Sequence, residues 1–105
     1  MSSGPIHLIT IVAESVLEER LVRDVMASGG SGWTLTPCHG VTGNEGHGGG
    51  ASDIEGGNIR VEVLIHEEGL ERLWSTLETD YFDTFALIAW SAPVRVGRDA
   101  KFSRH

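Results

Sequence analysis

Three basic residues near the end of the chain have the types and the spacing to bind an anion. Arg95, Arg98 and Lys101 recur at every third position, and Asp99 is the one acidic residue among them. In an extended tail these side chains could turn toward a single anion. An arginine guanidinium holds phosphate or a carboxylate with a planar fork, whereas a lysine acts as a point charge. The pattern favours a local anion site, with a solvated polar tail as the alternative.

A glycine-rich segment runs from Gly40 to Gly57, and its first part, from Gly40 to Gly50, could also approach an anion. It contains eight glycines and almost no apolar side chain. The segment lacks the Gly-Lys-Ser/Thr signature of a Walker P-loop, although glycine backbone amides can still line an anion site. Since it has little apolar surface to bury, the sequence predicts a long mobile loop, and loops of this length in compact domains are usually functional or disordered.

Cys38 and the five histidines give weak signals for catalysis or metal binding. Cys38 and His39 are neighbours, so on a strand they would point to opposite faces. No histidine pair has a metal-ligand spacing such as His-x-x-x-His, and we expect no metal site. A cysteine–histidine nucleophile pair would need an orienting group and an oxyanion motif, which are not visible. The sequence therefore predicts no catalytic residue and favours a structural cysteine.

Length, charge and hydropathy exclude several classes of protein. A chain of 105 residues with 40% hydrophobic residues suits one domain over residues 1–105. Its net charge of −7 argues against general nucleic-acid binding. No apolar run approaches the roughly 20 residues of a membrane span, and the N-terminus does not resemble a signal peptide. The single cysteine suits a reducing compartment, so we expect a cytoplasmic protein.

The first part of the chain reads as a strand followed by a helix. Residues 6–13 are apolar and rich in β-branched side chains, which predicts a strand with two apolar faces. Ser15 and Glu18 have the spacing of a capping box at a helix start, and Gly29 could end that helix. The predicted apolar face of the helix consists of Leu17, Leu21, Val22, Val25 and Met26.

The rest of the chain repeats the pattern of strand and helix. Residues 33–41 predict a strand that either becomes irregular near Pro37 or lies at a sheet edge there, because Pro37 would remove a hydrogen bond from a central strand. Residues 59–65 predict a further strand, with Arg60 and Glu62 on one face. Residues 85–90 predict the last core strand. Between these last two strands, helical spacing is shown by Leu70, Leu73, Trp74 and Leu77.

The order βαβ–loop–βαβ predicts an α+β fold of the ferredoxin-like βαββαβ type. Two such units form a four-stranded antiparallel sheet with both helices on one face, and right-handed crossovers leave few other arrangements. Because both faces of the first strand look apolar, we expect the uncovered face to contact another subunit. Covering by long side chains or by the C-terminal tail is the alternative.

Short motifs carry a resemblance to a known family. The segment Gly32-Trp33-Thr34-Leu35-Thr36 is similar to the Gly-x-Thr-Val motif of the PII superfamily, Gly40 follows at the corresponding offset, and residues 58–64 resemble the strand after that family's long loop. The resemblance implies a homotrimer of ferredoxin-like subunits. It also implies a T-loop at about 41–57 and a basic tail at about 94–105.

The resemblance further implies an adenine-nucleotide site in a cleft between subunits. Thr34 and Leu64 would flank the adenine, Gly40 and Gly43 would lie at the base of the T-loop, and the basic tail would hold the anionic end. The predicted nucleotide-binding residues are Thr34, Cys38, Gly40, Gly43, Leu64, Arg95, Arg98 and Lys101. Of these, Arg98 and Lys101 would also bind bicarbonate or another anion.

Two departures from the nitrogen-regulatory proteins favour a different branch of the superfamily. The connection after the second helix lacks a glycine- and lysine-containing B-loop. It has the acidic sequence 78–83 instead, and these carboxylates would repel a triphosphate. The long loop also lacks a regulatory tyrosine. Both features resemble the carboxysome-associated PII proteins and the SbtB bicarbonate-transporter regulators, which prefer AMP, ADP or cyclic AMP. Residues 94–102 fit the carboxysome-associated type better, because a C-terminal cysteine pair is missing.

These features predict a signalling protein rather than an enzyme. Its ligands would be AMP, ADP or cyclic AMP together with bicarbonate, without a covalent cofactor. Its partner would be a membrane bicarbonate transporter or a carboxysome component of a carbon-concentrating system. The alternatives are a nitrogen-regulatory PII protein, a small ferredoxin-like hydrolase, a CutA-type metal-binding trimer and a plain oligomerisation module.

Overall fold

The computed structural model of the chain describes residues 5–30, 32–39 and 57–97. Most of the predicted T-loop and the end of the basic tail lie outside these ranges. The described elements, in chain order, are β1 (Ile6–Glu14), a 3-10 turn (Ser15–Leu17), α1 (Glu18–Ala27), β2 (Gly32–Cys38), β3 (Asn58–His66), α2 (Glu67–Asp80) and β4 (Ile88–Pro93).

The strands of the described residues form one antiparallel sheet in the order β2-β3-β1-β4. In this order β1 and β2, the two strands of the first βαβ unit, are not neighbours, because β3 lies between them. The ferredoxin-like α+β fold predicted from the sequence is confirmed. Pro37 lies in β2, an edge strand, as its missing N–H requires.

The core lies between the sheet and the two helices. On β1 and β3, Ile9 faces Val63 and Ile11 faces Val61 across the ladder, and none of the four has exposed surface. Helix residues cover these pairs from one side, since directly opposite residues of an antiparallel pair point to the same face. The helix-borne members of this core are Leu17, Leu21, Val25, Leu70, Leu73 and Leu77.

The start of α1 and its apolar face differ from the sequence prediction. Ser15 lies inside the 3-10 turn rather than at a cap, and the actual cap positions Glu14 and Leu17 make no side-chain capping hydrogen bond. The predicted capping box is therefore wrong. Met26 is 61% exposed, because the core-facing stripe of the helix narrows to Leu21 and Val25.

The last strand begins later than the sequence predicted. Residues 85–87 precede β4, because hydrogen bonds from the backbone N–H groups of Thr84 and Phe85 to the Tyr81 carbonyl hold a turn after α2. Phe85 and Leu87 still pack against the core from this turn. Their apolar character thus reflects burial beneath the turn rather than strand pairing.

Two glycines set the junctions between α1, β2 and α2. Gly29 has a φ of 95° at the end of α1, a conformation that other L-residues rarely adopt. Gly69 lies in the first turn of α2, where a Cβ atom would stand 2.6 Å from the Ser28 carbonyl oxygen. Its missing side chain therefore lets α2 approach the end of α1 closely.

Candidate functional site

The face of the sheet opposite the helices carries a row of three polar side chains and one tryptophan across its middle. The ladder register aligns Thr34 of β2 with Glu62 of β3, Glu62 with Thr10 of β1, and Thr10 with Trp90 of β4. Residues aligned in this way share one face, so the four side chains form a continuous row. We call this surface the open face.

Thr34 and Leu64, which the sequence analysis placed beside an adenine, are neighbours on the open face. Thr34 is opposite Glu62, and Leu64 lies two residues further along the same strand, opposite Gly32. Diagonal neighbours of this kind are about 7–8 Å apart. Because Gly32 has no side chain, the surface beside Leu64 is left open, with Thr34 on its other border. The register thus places an apolar side chain and a hydroxyl on either side of a position that has no side chain.

Cys38 lies at the end of β2 that leads into the long loop, where it pairs with Asn58 of β3. The thiol is free and partly buried. Cys38 and Thr34 are four residues apart on one face of the strand, or roughly 13 Å at the usual rise per residue. The other two predicted residues at the base of the loop, Gly40 and Gly43, lie outside the described residues.

Arg95 lies far from Thr34 within one subunit. It follows β4, just after Val94, whose N–H donates a hydrogen bond to the Ile6 carbonyl. Thr34 and Trp90 lie in one row, three strand spacings apart at opposite edges of the sheet. Arg95 is five residues beyond Trp90 along the chain, so Thr34 and Arg95 are roughly 20 Å apart. Arg95 is exposed. Arg98 and Lys101, the other predicted anion ligands, lie outside the described residues.

Glu62 is a candidate site residue that the sequence analysis did not select. Thr10 is 2% exposed at the centre of the open face, and Glu62 lies between it and Thr34. Arg60 Nη2 lies 3.5 Å from Glu62 Oε2, forming an ion pair on the same face. The alternation of residues 59–63 had placed Arg60 and Glu62 together. Their position beside Thr34 depends on the β2–β3 register, which the sequence did not show.

The acidic segment 78–83 is an ordered helix end and turn. The N–H groups of Tyr81 and Phe82 both donate to the Leu77 carbonyl, and those of Thr84 and Phe85 donate to the Tyr81 carbonyl. Because these amides already have partners within the protein, they are not available to an anion. The nearby carboxylates of Asp80 and Asp83 would also repel one.

Burial raises the pKa of Tyr81, and the neighbouring Asp24 carboxylate raises it further. The tyrosine hydroxyl donates a hydrogen bond to Asp24 Oδ2 at 2.5 Å, and the Tyr81 side chain has no exposed surface. Ionisation would place a second negative charge beside the carboxylate in a desolvated position. Tyr81 therefore acts as a neutral hydrogen-bond donor and not as a general base.

The described ranges contain neither a metal-binding cluster nor a membrane-spanning helix. Within residues 5–30, 32–39 and 57–97, no three His, Cys, Asp or Glu side chains are grouped so that they could hold a metal ion. The helices in this part of the chain are also too short or too polar to cross a bilayer.

The fold and the open face define a ferredoxin-like α+β subunit with one uncovered sheet face, and comparison with known families gives the family. The profile of the family described as "Nitrogen regulatory protein P-II" matches residues 6–101. The chain belongs to the P-II family. The family resemblance inferred from the short motifs is confirmed. The family match does not assign the chain to the SbtB branch. No curated protein sequence matches it significantly.

Solved structures give relatives of this chain. A PII-like signalling protein from Thermus thermophilus is 40% identical, with a TM-score of 0.76 over 97% of this chain and 99% of that one. CPII from Thiomonas intermedia, a nitrogen regulatory PII-like protein bound to ADP, AMP and bicarbonate, is 20% identical, with a TM-score of 0.72 over 93% and 97%. The GlnK–ATP complex of B. subtilis is 12% identical, with a TM-score of 0.60 over 89% and 86%. The last two show the shared fold alone.

Proposed function

We propose that this protein is a PII-like signalling subunit that binds AMP or ADP together with bicarbonate between the subunits of a homotrimer. The observation that carries this proposal is the separation of Thr34 and Arg95 at opposite edges of one sheet. A ligand that needs both residues requires two copies of the chain, with the β2 edge of one copy facing the β4 exit of the next.

The open face supplies the surface for that assembly. Trp90 is 46% exposed and Ile88 is 42% exposed, and both lie on β4 and point to the open face. Leu8 and Val12 of β1 lie beside them on the same face. Exposed aromatic and aliphatic side chains in one patch are typical of a subunit interface. The β1–β4 half of the open face is therefore assigned to contacts between subunits.

The β2–β3 half of the open face is assigned to the nucleotide. The base is assigned to the surface over Gly32, with Leu64 against its face and the Thr34 hydroxyl at its edge. Glu62 accepts hydrogen bonds from ribose hydroxyls or from the exocyclic amine. Cys38 is at the loop end of β2, and we assign Gly40 and Gly43 to the same end of the site. Arg95, Arg98 and Lys101 of the neighbouring copy would hold the phosphate and bicarbonate.

A mono- or diphosphate suits this arrangement better than a triphosphate. The turn after α2 offers carboxylates and internally bonded amides where a polyphosphate would need donors. The bound ADP, AMP and bicarbonate of CPII agree with this preference in a protein of the same fold. A regulator of this kind would act on inorganic-carbon uptake or on a carboxysome in the cytoplasm. Its partner would be a bicarbonate transporter or a carboxysome component.

Calorimetric titration tests the ligand assignment. AMP, ADP, ATP and cyclic AMP are titrated into the full-length protein, each with and without bicarbonate. We expect saturable binding of AMP or ADP at one site per subunit, strengthened by bicarbonate, and weaker binding of ATP. Tighter binding of ATP than of ADP would favour the nitrogen-regulatory alternative, and no binding of any adenine nucleotide would contradict the proposal.

Paired variants test the residue assignment. Thr34→Val should weaken binding about fivefold to tenfold, because one hydrogen bond contributes about 1 kcal/mol. Thr36→Val is its control, since Thr36 lies on the same strand and face but one row further from Leu64. Arg95→Ala should weaken binding at least tenfold, while Arg23→Ala, an exposed arginine on α1, should leave it unchanged. Equal losses in a variant and its control would contradict the assigned positions.

A further inference from the structure

Arg20, Asp24 and Tyr81 form a contact between α1 and the end of α2. The buried Tyr81 hydroxyl donates to Asp24 Oδ2. The Arg20 guanidinium lies over the Tyr81 ring, 4.8 Å from its centroid, and Arg20 Nη2 donates to the Asp80 carbonyl oxygen at 3.5 Å. These three side chains hold the last turn of α2 against α1, and we call them the latch.

The latch also reaches the connection from Tyr81 to Leu87 that leads into β4. The Arg20 guanidinium lies 5.3 Å from the centroid of Phe85, so one cation covers two rings of the connection. The Tyr81 and Phe85 rings are themselves 6.0 Å apart. A guanidinium placed over two aromatic faces is attracted by both ring quadrupoles. The connection is therefore attached to α1 at two points.

The backbone hydrogen bonds described for this connection do not reach α1. Phe82 donates to Leu77 of α2, and Thr84 and Phe85 donate to Tyr81 within the connection itself. Phe82 contacts Trp74 of α2 edge to face, with ring centroids 6.2 Å apart. The polar attachment to α1 described here is thus made by side chains, and changing one of them weakens it.

We propose that Arg20, Asp24 and Tyr81 are a latch that keeps the connection Tyr81–Leu87 closed on α1, and that releasing it lets this connection open while β1 and β3 stay folded. Proteins open in local units whose stability is lower than that of the whole domain. A hydrogen bond to a carboxylate is stronger than one between neutral groups. We therefore expect loss of the Tyr81–Asp24 hydrogen bond to favour the open form of the connection more than loss of the other contacts. The inference does not depend on the proposed ligand or on the oligomeric state.

Hydrogen exchange measured by mass spectrometry tests the latch in the full-length protein. Tyr81→Phe removes the hydroxyl and keeps both rings under Arg20, and Asp24→Asn removes the charge of the acceptor. In both variants we expect peptides covering residues 82–87 to exchange about tenfold faster or more, and peptides of β1 and β3 to change less than twofold. Thr84→Ala is the control, because this exposed side chain lies in the connection but outside the latch; it should change neither region.

Two results would overturn the proposal. Unchanged exchange over residues 82–87 in both variants would show that the latch does not hold the connection. Equal acceleration in the connection and in β3 would show a loss of global stability instead of a local opening. If Tyr81→Phe does not fold, Asp24→Asn decides the test, since it leaves the buried ring in place.

Discussion

The two faces of the sheet are made by the same strands and differ in chemistry from one residue to the next. On the helix-covered face, Ile11 of β1 and Val61 of β3 stand opposite each other with no exposed surface. One position along, on the open face, Thr10 stands opposite Glu62. The covered face consists of buried apolar side chains, which stabilise the fold and offer no polar group to a ligand. The open face buries Thr10 but keeps Glu62 partly exposed and Trp90 about half exposed, so these two side chains add little to the stability of one subunit and remain available for binding.

The largest effect is expected from truncation on the covered face. Ile11→Ala removes apolar atoms from a fully buried position and should lower the free energy of unfolding by about 2–5 kcal/mol. Urea unfolding followed by tryptophan fluorescence measures this change. A loss below about 1 kcal/mol would show that the covered face is not the main source of stability.

A smaller loss is expected where the helix layer is most closely packed. In Gly69→Ala, the new Cβ would lie 2.6 Å from the Ser28 carbonyl oxygen and 2.8 Å from an Ile65 methylene carbon, so α1 and α2 must separate. We expect a loss of about 1–3 kcal/mol, as for other overpacked sites. Gly97→Ala is the matched control, because a Cβ there meets no atom within 4 Å. Similar losses in both variants would contradict the steric explanation.

The pH dependence of stability should identify Tyr81 as a polar group buried in the helix layer. Its folded-state pKa is raised above the ordinary value of about 10, so its contribution to stability is complete below about pH 10 and is lost as the pH rises further. Tyr81 is the one tyrosine of the chain, so absorbance at 295 nm reports its ionisation alone. Ionisation of the native protein near pH 10 would contradict the buried position, and Tyr81→Phe should abolish the alkaline loss.

The smallest effect on the folded subunit is expected on the open face. Trp90→Ser removes a half-exposed ring and should change the free energy of unfolding of the separate subunit by about 1 kcal/mol or less. The same change should convert the proposed trimer to smaller species in light scattering after size exclusion. Val16→Ser, at a 78% exposed position in the 3-10 turn, is the control and should leave the mass unchanged. A trimer that persists in Trp90→Ser would show that this part of the open face is not needed for subunit assembly.

The secondary structure could be predicted closely because it depends on local patterns. The apolar spacing of Leu70, Leu73 and Leu77 located α2, and Gly29 marked the end of α1. The misplaced elements have physical reasons as well. Phe85 and Leu87 are buried by a hydrogen-bonded turn, so their apolar character resembled that of a strand. The Ser15–Glu18 spacing fits a capping box, but the chain enters α1 through a 3-10 turn.

The candidate site could be predicted in part. Thr34 and Leu64 were selected from a motif, and the register places them as diagonal neighbours on one face. Glu62 was seen only as a polar residue of a strand, since its proximity to Thr34 arises from pairing between two strands far apart in sequence. The Asp24–Tyr81 hydrogen bond, which joins residues 57 positions apart, had no sequence signal at all.

The sequence by itself determined the order of the strands and helices, a break or an edge at Pro37, and the family, because periodicity, proline chemistry and short motifs depend on neighbouring residues. The tertiary structure alone decided that Thr10, Glu62 and Thr34 form one row and that Thr34 and Arg95 stand at opposite edges of the sheet. Strand order and register depend on contacts between distant segments, and a shift of one residue would move every side chain to the other face.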